Sequence, residues 1–449
     1  MSVEKLSPLN YTLDRVTVSA TRAQTEQVHY DITRSVAEIN IYENMNIPYL
    51  TGSLLIVDSS AMSSIINYNG TETVTIELTP QSGPAVQVSF NVFALTDMAK
   101  AKANDSVSTY TLQLIEPHGF LSNFKRLRKG YSGNITAIIK QILSESLGVE
   151  VPDENFEDSY QSIQVVVPNL TPLGACKWLA ERATSEFGEP MYLYSSIRGG
   201  LHFNSLGSLV AGDRRHPDPF AYSSGPIGST DFARASRSIQ QMSIPENDNI
   251  IRLARDGAIA SRFYSIDPFT RNVDYVDYNA KANFDERGAA GRTMYPTLQL
   301  DTSFQLPDGA LSETDSYYFS QVTTSSGFDK IAAYDEESDY QRHITKVSSR
   351  SIDSLIHKQE MTVVVPGFHM MRSAENLAVG NIVGTVVNKD QPAHQERSSE
   401  ALIDKRRSGN WIIGEARHRF NMASKYVVAC TLWRATSEDT LTASEQGPE

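Results

Sequence analysis

The 449-residue chain has very little cysteine. Its two thiols, Cys176 and Cys430, cannot build a disulfide framework and are expected to be reduced and buried, as in a protein made in a cytosol. Long apolar runs are missing. Nothing approaches the ~20 residues of a membrane helix, which predicts no membrane insertion by this chain. The first ten residues have neither the positive start nor the apolar run of a signal peptide, so export by that route is not expected. Positive charge is in deficit, with 40 Lys+Arg against 53 Asp+Glu and a net charge of −13. That balance argues against a protein that wraps a nucleic-acid duplex.

Motifs for common chemistries are absent too. Nine histidines (His29, His118, His202, His216, His343, His357, His369, His394 and His418) are scattered, none in a His-Glu-x-x-His frame, and no Cys-x-x-Cys occurs, so no zinc site is expected. His418, between Arg417 and Arg419 in an expected strand, reads as a surface or groove histidine. No Gly-x-x-x-x-Gly-Lys-Ser/Thr phosphate loop is present. Gly130-Tyr131-Ser132-Gly133 lacks the Gly-x-Ser-x-Gly spacing of a nucleophile turn, and Ser132 reads as a helix cap. Gly288-Ala289-Ala290-Gly291 has no strand-turn-helix context and reads as a loop or helix end. The acidic run Asp335-Glu336-Glu337-Ser338-Asp339 lacks the glycine and spacing of a calcium loop and reads as solvated. Carboxylates are numerous enough for the acid pair of a glycoside hydrolase, but abundance does not bring two together. Two basic patches, Lys125-Arg126-Leu127-Arg128-Lys129 and Lys405-Arg406-Arg407, are short for nucleic-acid binding in an acidic chain. They read as pairing with an acidic partner or as solvated surface. No catalytic, cofactor-binding or metal-binding residue is assigned.

What is there is an ordinary globular composition, 40% hydrophobic and 21% charged. At ~150 residues per domain it predicts about three domains, able to bury several cores without metals or disulfides. The first third alternates. Residues 36–42, 52–58, 73–78, 86–95 and 108–115 read as strands, with Asn69-Gly70 as a tight turn, and point to a small barrel or sandwich. The period then changes. Ile135, Ile138, Ile139, Ile142, Leu143 and Leu147 recur at three-and-four spacing, one face of a helix, with Ser132 or Asn134 to cap it and Gly148 to end it. A second helix is expected over residues 172–187, entered by Thr171-Pro172 and ended by Gly188. Strands at 191–194 and 201–203 follow about an Arg198-Gly199-Gly200 turn. Residues 205–340 carry a weak apolar signal, with short strands expected at 234–242, 250–253 and 317–322. A helix over 349–358 precedes strong strands at 361–365, 382–387, 411–416 and 426–433, and residues 435–449 read as a loose acidic tail. The block 361–433 echoes 42–115 in length, about 73 residues, and in its long closing strand, a pattern that points to a duplicated β domain.

The order of these pieces resembles the baseplate hub subunit of contractile-tailed bacteriophages and the hub half of type VI secretion spike proteins. Three stretches carry the resemblance. Ser108-Thr109-Tyr110-Thr111-Leu112-Gln113-Leu114, then Phe120-Leu121-Ser122-Asn123 and Tyr131-Ser132-Gly133-Asn134-Ile135, is similar to the family's passage from the last strand of a barrel, through a basic turn, into its first helix. Asn169-Leu170-Thr171-Pro172, Trp178-Leu179-Ala180-Glu181-Arg182-Ala183 and Gly188-Glu189-Pro190-Met191-Tyr192-Leu193-Tyr194 resemble its second helix and hairpin. Met361-Thr362-Val363-Val364-Val365-Pro366-Gly367, Val379-Gly380-Asn381-Ile382-Val383, Trp411-Ile412-Ile413-Gly414 and His418-Arg419-Phe420 resemble its second barrel. The likeness spans residues 39–434, is weakest over 207–340, and rests on collinear order rather than on one motif.

The resemblance implies an α+β, β-rich chain: two tube-like β-barrel domains with an α+β insert. Its parts would be an N-terminal extension (1–38), a first tube-like β domain (39–118), an α+β middle domain in two parts (119–205 and 251–339), a second tube-like domain in two parts (206–250 and 340–435) and a flexible acidic tail (436–449). It implies a non-enzymatic role as a trimeric hub that joins the six-fold tail tube to the three-fold central spike and transmits contraction force. Implied partners are two further copies of the chain, the spike protein, the tail tube protein or tube initiator, and beyond these the tape-measure protein and baseplate wedge. The implied location is the virion baseplate, after synthesis in the bacterial host cytoplasm. The net charge is expected to line a lumen through which phage DNA slides without specific binding. The alternatives are a tail-associated cell-wall-degrading enzyme, or another tail β-protein such as a wedge or tube-terminator component.

Overall fold

The structure is a computed structural model that describes residues 7–22, 26–81, 83–101, 104–160, 162–211, 218–222, 232–245, 249–267, 271–280, 305–306, 309–310, 318–322, 329–331, 339–371, 377–388, 403–404, 407–423 and 425–435. It is α+β and β-rich, as the alternating sequence predicts. The first β region holds β1 (Tyr11–Arg22), β2 (Glu26–Asp31), β3 (Val36–Asn44), β4 (Thr51–Asp58), β5 (Thr73–Pro80), β6 (Val86–Ala101) and β7 (Asn104–Ile115), with a short helix α1 (Met62–Ile66) after β4. These strands lie in the order β3-β4-β7-β6-β5-β1-β2, all antiparallel. Period-two alternation aims one face of each inward: Val74 and Ile76 of β5 are fully buried and pair with Phe90 and Val88 of β6.

β1 and β2 correct the reading of residues 1–38 as an extension. β1 pairs with β5 along most of its length, and the Tyr426 N–H donates to the Leu9 carbonyl at 2.6 Å. The Tyr11 hydroxyl donates to the Asn421 carbonyl at 2.9 Å, its ring edge-on to Phe420 at 5.0 Å. The strand escapes a simple pattern search because a bulge between Leu13 and Arg15 reverses its phase. Tyr11 is buried before the bulge, and Val16, Val18 and Ala20 after it.

The middle block holds α2 (Pro117–Ser122), β8 (Gly130–Asn134), α3 (Ile135–Ile142), β9 (Ser162–Val166), α4 (Pro172–Ala180) and the hairpin β10 (Met191–Ser196) and β11 (Gly200–Ser205). Asn134, not Ser132, caps α3: its Oδ1 accepts the Thr136 N–H at 2.8 Å. A π-helical turn, Leu143–Leu147, continues the helix until Gly148 takes a left-handed φ of 67°. The isoleucine face of α3 packs with Leu173, Cys176 and Leu179 of α4 in a core of its own. α4 stops at Ala180 rather than near 187. Thr184 leaves the helix to bridge with Pro190, and the Ser185 carbonyl accepts the Gly188 N–H in a turn.

The chain then passes through α5 (Leu206–Ala211), β12 (Phe220–Tyr222), α6 (Phe232–Ser236), β13 (Gln241–Ser243), α7 (Ile250–Arg255), β14 (Ala260–Asp267), β15 (Asn272–Asn279), β16 (Gln305–Leu306), β17 (Gly309–Ala310), β18 (Tyr318–Val322), β19 (Asp329–Ile331), α8 (Asp339–Ile356), β20 (Gln359–Pro366), β21 (Ile382–Val387), β22 (Gly409–Asn421) and β23 (Lys425–Arg434). β12 pairs with β21 and β13 with β20, so the segment after the middle block joins the same sheet as the last strands of the chain. β19 returns to the middle block beside β9. Residues 234–242 contain the end of α6 and the short β13 rather than one strand. Residues 250–253 are helical, because Asn249 caps them by accepting the Arg252 N–H at 2.9 Å and four residues cannot distinguish the two periods. Residues 288–291, 335–338 and 436–449, with Lys405 and Arg406, lie outside the described residues.

β3 and β22 pair antiparallel from Asn44 opposite Glu415 to Glu38 opposite Asn421. The two β regions are therefore one sheet, β13-β20-β23-β22-β3-β4-β7-β6-β5-β1-β2, with β21 and β12 branching from β22. Among the described strands the path is open, and no closed barrel forms. In the first region the link between β2 and β3 is held to β1 by hydrogen bonds rather than a ladder, from Ile32 N to Val16 O at 2.9 Å and from Val16 N to Thr33 Oγ1 at 2.8 Å. Alternation specifies a buried face and leaves the pairing of edges open, which is why the sequence pattern alone does not distinguish these cases. One hydrophobic core runs through both regions, from Val16 and Ile76 to Val428 and Leu432.

Candidate functional site

The parts of the chain meet at carboxylates, of which Glu43 is buried and Glu116 and Glu157 are half-buried. β3 carries Ile39, Ile41 and Glu43 in one phase, so the strand that buries the two isoleucines also buries the acid, which is 3% exposed. β22 likewise turns Ala416, His418 and Phe420 inward. Glu43 Oε1 accepts the Ile197 N–H at 2.7 Å, and Oε2 accepts the Val379 N–H at 3.4 Å and faces His418 Nε2 at 3.5 Å. His418 Nδ1 lies 2.8 Å from the Tyr426 hydroxyl. A carboxylate only accepts, so the imidazole proton belongs on Nε2, and the hydroxyl donates to Nδ1. Burial pushes the Tyr426 hydroxyl well above its ordinary range, which keeps it a donor. One glutamate thus ties the first β region to the β10–β11 turn, to the segment before β21 and to β22.

Glu116 repeats the device at the end of β7. Its Oε2 accepts the Leu50 N–H at 2.7 Å and the Ser195 hydroxyl at 3.0 Å, and Oε1 lies 3.6 Å from His118 Nδ1. His118 Nε2 donates to the Pro48 carbonyl at 2.8 Å. Glu157 holds β11 through the Ser205 N–H and hydroxyl at 2.7 and 2.9 Å. On the more exposed face of the β3–β22 ladder, Arg419 pairs with Glu38 at 2.7 Å, Arg417 donates to Asn40 at 3.0 Å and Asn44 to Glu415 at 2.6 Å. Burial pushes the Glu38 carboxyl up, but the Arg419 and Asn40 donors outweigh it and hold the group below the usual carboxylate range. Away from water such contacts are strong and costly to break, so the arrangement fixes parts relative to one another.

The structure moves several residues from their expected places. His418 is 1% exposed, not a surface or groove histidine, because it shares the inward phase of Ala416 and Phe420. Ser132 sits exposed on β8. The first basic patch lies against the end of the π-helical turn, where carbonyls are unpaired and the helix dipole is negative. Lys125 donates to the Ser146 carbonyl, Arg128 to Asn169 Oδ1 at 2.8 Å, and Lys129 to Glu145 at 2.7 Å. Arg407 of the second patch pairs with Asp404 at 3.3 Å. Cys176 and Cys430 belong to different cores, and burial pushes both thiols up, away from reactivity. Among the described residues no three metal-ligating side chains converge, and no helix is long and apolar enough to cross a membrane. A cleft of about 670 Å³ between α4, β10 and α8 is lined by Lys177, Arg182, Tyr192, Arg350 and Asp353. Glu43 and Glu116 were not singled out from the sequence. For Glu43 a signal was available, a carboxylate in the buried phase of an apolar strand.

No protein-family model and no curated protein matches the chain. Solved structures do. The tail protein from Neisseria meningitidis MC58 superposes with a TM-score of 0.52 at 12% identity, covering 96% of this chain and 99% of that one. The 43 kDa tail protein of prophage MuSo2 from Shewanella oneidensis superposes with a TM-score of 0.52 at 10% identity, covering 94% of this chain and 99% of that one. The chain shares the fold of these tail proteins over nearly its whole length.

Proposed function

We propose that this chain is a structural subunit of a contractile phage tail: the baseplate hub, a trimer that adapts the six-fold tail tube to the three-fold central spike. The observation that carries this reading is the β3–β22 ladder. It fuses two β regions edge to edge in one chain, so three chains supply six tube-like units around an axis. The fold shared with phage and bacterial tail proteins supports a place in the tail. The joints at the buried Glu43 and the half-buried Glu116 support force transmission, since both tie the first β region to the middle block and Glu43 also reaches Val379 and His418 of the second region.

On this reading the first unit is residues 11–118, now including β1 and β2. The second combines 206–250 with 340–435, and 119–205 with 251–339 face the spike. Partners are two further copies, the spike protein and the tube protein or its initiator, with the tape-measure protein and wedge beyond them. DNA passes through the lumen without specific binding. The site of action is the virion baseplate, after synthesis in the host cytoplasm, and no catalysis belongs to the role. Imaging of the assembled particle tests this: a three-fold ring with six similar lobes is expected at the tube's end. A chain absent from that ring, or a clearing band from the purified chain on cell-wall substrate, overturns it.

A further inference from the structure

Beside the basic turn lies an exposed apolar face. Phe124 is 73% exposed and Leu121 43%. The Phe120 and Phe124 rings meet edge-on at 5.0 Å, which stiffens the projecting ring. Large apolar groups exposed together and rimmed by charge mark a contact surface. The rim here is cationic. Lys129 is neutralised by Glu145, but among the described residues no carboxylate pairs with Lys125, Arg126 or Arg128. Elsewhere on the same block the charge is opposite. Glu150, Glu154 and Asp158 are exposed and, among the described residues, pair with no cation, while Asp153 pairs with Lys140.

We propose that the face formed by Leu121 and Phe124, with its Lys125, Arg126 and Arg128 rim, receives the acidic stretch 150–158 of a second copy of this chain. Three unpaired cations meet three unpaired carboxylates across that contact. The face does not pair with itself, because a two-fold contact sets the cationic rims against each other. A bilayer is the poorer occupant: setting the four cations of the turn aside takes the net charge from −13 to −17, so the rest of the chain is repelled by anionic lipid. A contact between two different surfaces, turn against stretch, is compatible with the head-to-tail arrangement that closes a ring. It rests on the ring-forming reading above and names the surface that serves it.

Light scattering of the full chain over a micromolar concentration series tests the contact. The wild type is expected to self-associate. Reversing the rim (Lys125→Glu, Arg126→Glu, Arg128→Glu) or the stretch (Glu150→Lys, Glu154→Lys, Asp158→Lys) should each weaken association about tenfold or more, and a chain carrying both sets should regain it. Phe124→Ser should weaken it without a change of charge. All these side chains are exposed, and unchanged circular dichroism verifies the fold; the rim variant, which loses the Lys125 and Arg128 bonds, is expected to melt slightly lower, while the stretch variant and Phe124→Ser melt like the wild type. Reversed variants that associate like the wild type overturn the surface and leave the ring reading standing; a wild type monomeric throughout overturns both. A doubly reversed chain that stays apart overturns the acidic stretch as occupant. A monomeric wild type that floats with phosphatidylglycerol vesicles assigns the face to a membrane instead.

Discussion

Replacing Glu43 by alanine tests the buried junction directly. The change orphans the Ile197 N–H, held at 2.7 Å, weakens the hold on Val379, and leaves the His418 Nε2 proton facing a cavity. Each unsatisfied buried donor costs ~1–3 kcal/mol, more where the lost acceptor is charged, and at least two donors lose their acceptor here. We expect a loss of about 3–5 kcal/mol, a large share of a stability of ~5–15 kcal/mol. Glu43→Gln keeps one carbonyl acceptor for Ile197 and should lose only about 1–2 kcal/mol. Guanidinium midpoints give the global loss. Hydrogen exchange gives the local one: the Ile197 and Val379 amides should lose protection in Glu43→Ala, while Val74 and Ile76 of β5 change only as far as global stability does. A Glu43→Ala chain within ~0.5 kcal/mol of the wild type, with Ile197 still protected, refutes the assignment of the carboxylate as a joint.

Other consequences follow from the same packing. A Cβ at Gly414, where β22 bulges, falls 2.2 Å from the Trp433 ring, so Gly414→Ala should lower stability by ~1–3 kcal/mol; an unchanged melting curve contradicts this. Burial pushes the Asp58 carboxyl up, but the backbone N–H groups of Ser63, Met62 and Ser60 outweigh it and hold the group below its ordinary 3.8. Its stabilisation is therefore present above that value and lost as pH falls through the lower folded value. Asp58→Asn should cost ~1–2 kcal/mol at neutral pH and flatten the acid limb of the stability curve; an unaltered limb counts against these hydrogen bonds. Burial raises the Tyr11 hydroxyl to about 12 and the Tyr68 and Tyr426 hydroxyls further. Raised acids contribute stability below the ordinary 10.0 that is lost as pH climbs through the folded values. Ultraviolet titration should show these rings ionising only with unfolding, and reversible ionisation of all 20 tyrosines near pH 10 in the folded chain contradicts it. A thiol reagent should label neither Cys176 nor Cys430 in the folded chain and both in guanidinium; native labelling refutes their burial.

Much of the secondary structure was legible where one period ran unbroken. The isoleucines of α3, with Asn134 before and Gly148 after, specify a helix and its ends, and Val74, Ile76 and Leu78 specify β5. Legibility failed where local chemistry interrupted the period. The bulge in β1 reversed its phase, Thr184 and Ser185 drew the chain out of α4 early, and the few residues of α7 fit either period. The site was half legible. A carboxylate following Ile39 and Ile41 in phase announces a buried acid, but nothing near Glu43 in the sequence announces Ile197, Val379 or His418 as its partners.

The sequence by itself determined which residues of α3 and β5 face inward, where α3 ends, and that no disulfide framework holds the chain, because periodicity, capping and cysteine content are local properties. The tertiary structure alone decided that β3 pairs with β22, that β12 and β13 return to the sheet of the last strands, and that residues 11–22 and 26–31 are strands of that sheet. Backbone hydrogen bonds between strands are the same whatever the side chains, so the choice of neighbour falls to the whole set of faces that must be buried together and to the few buried polar groups, Glu43 foremost, that only one arrangement satisfies.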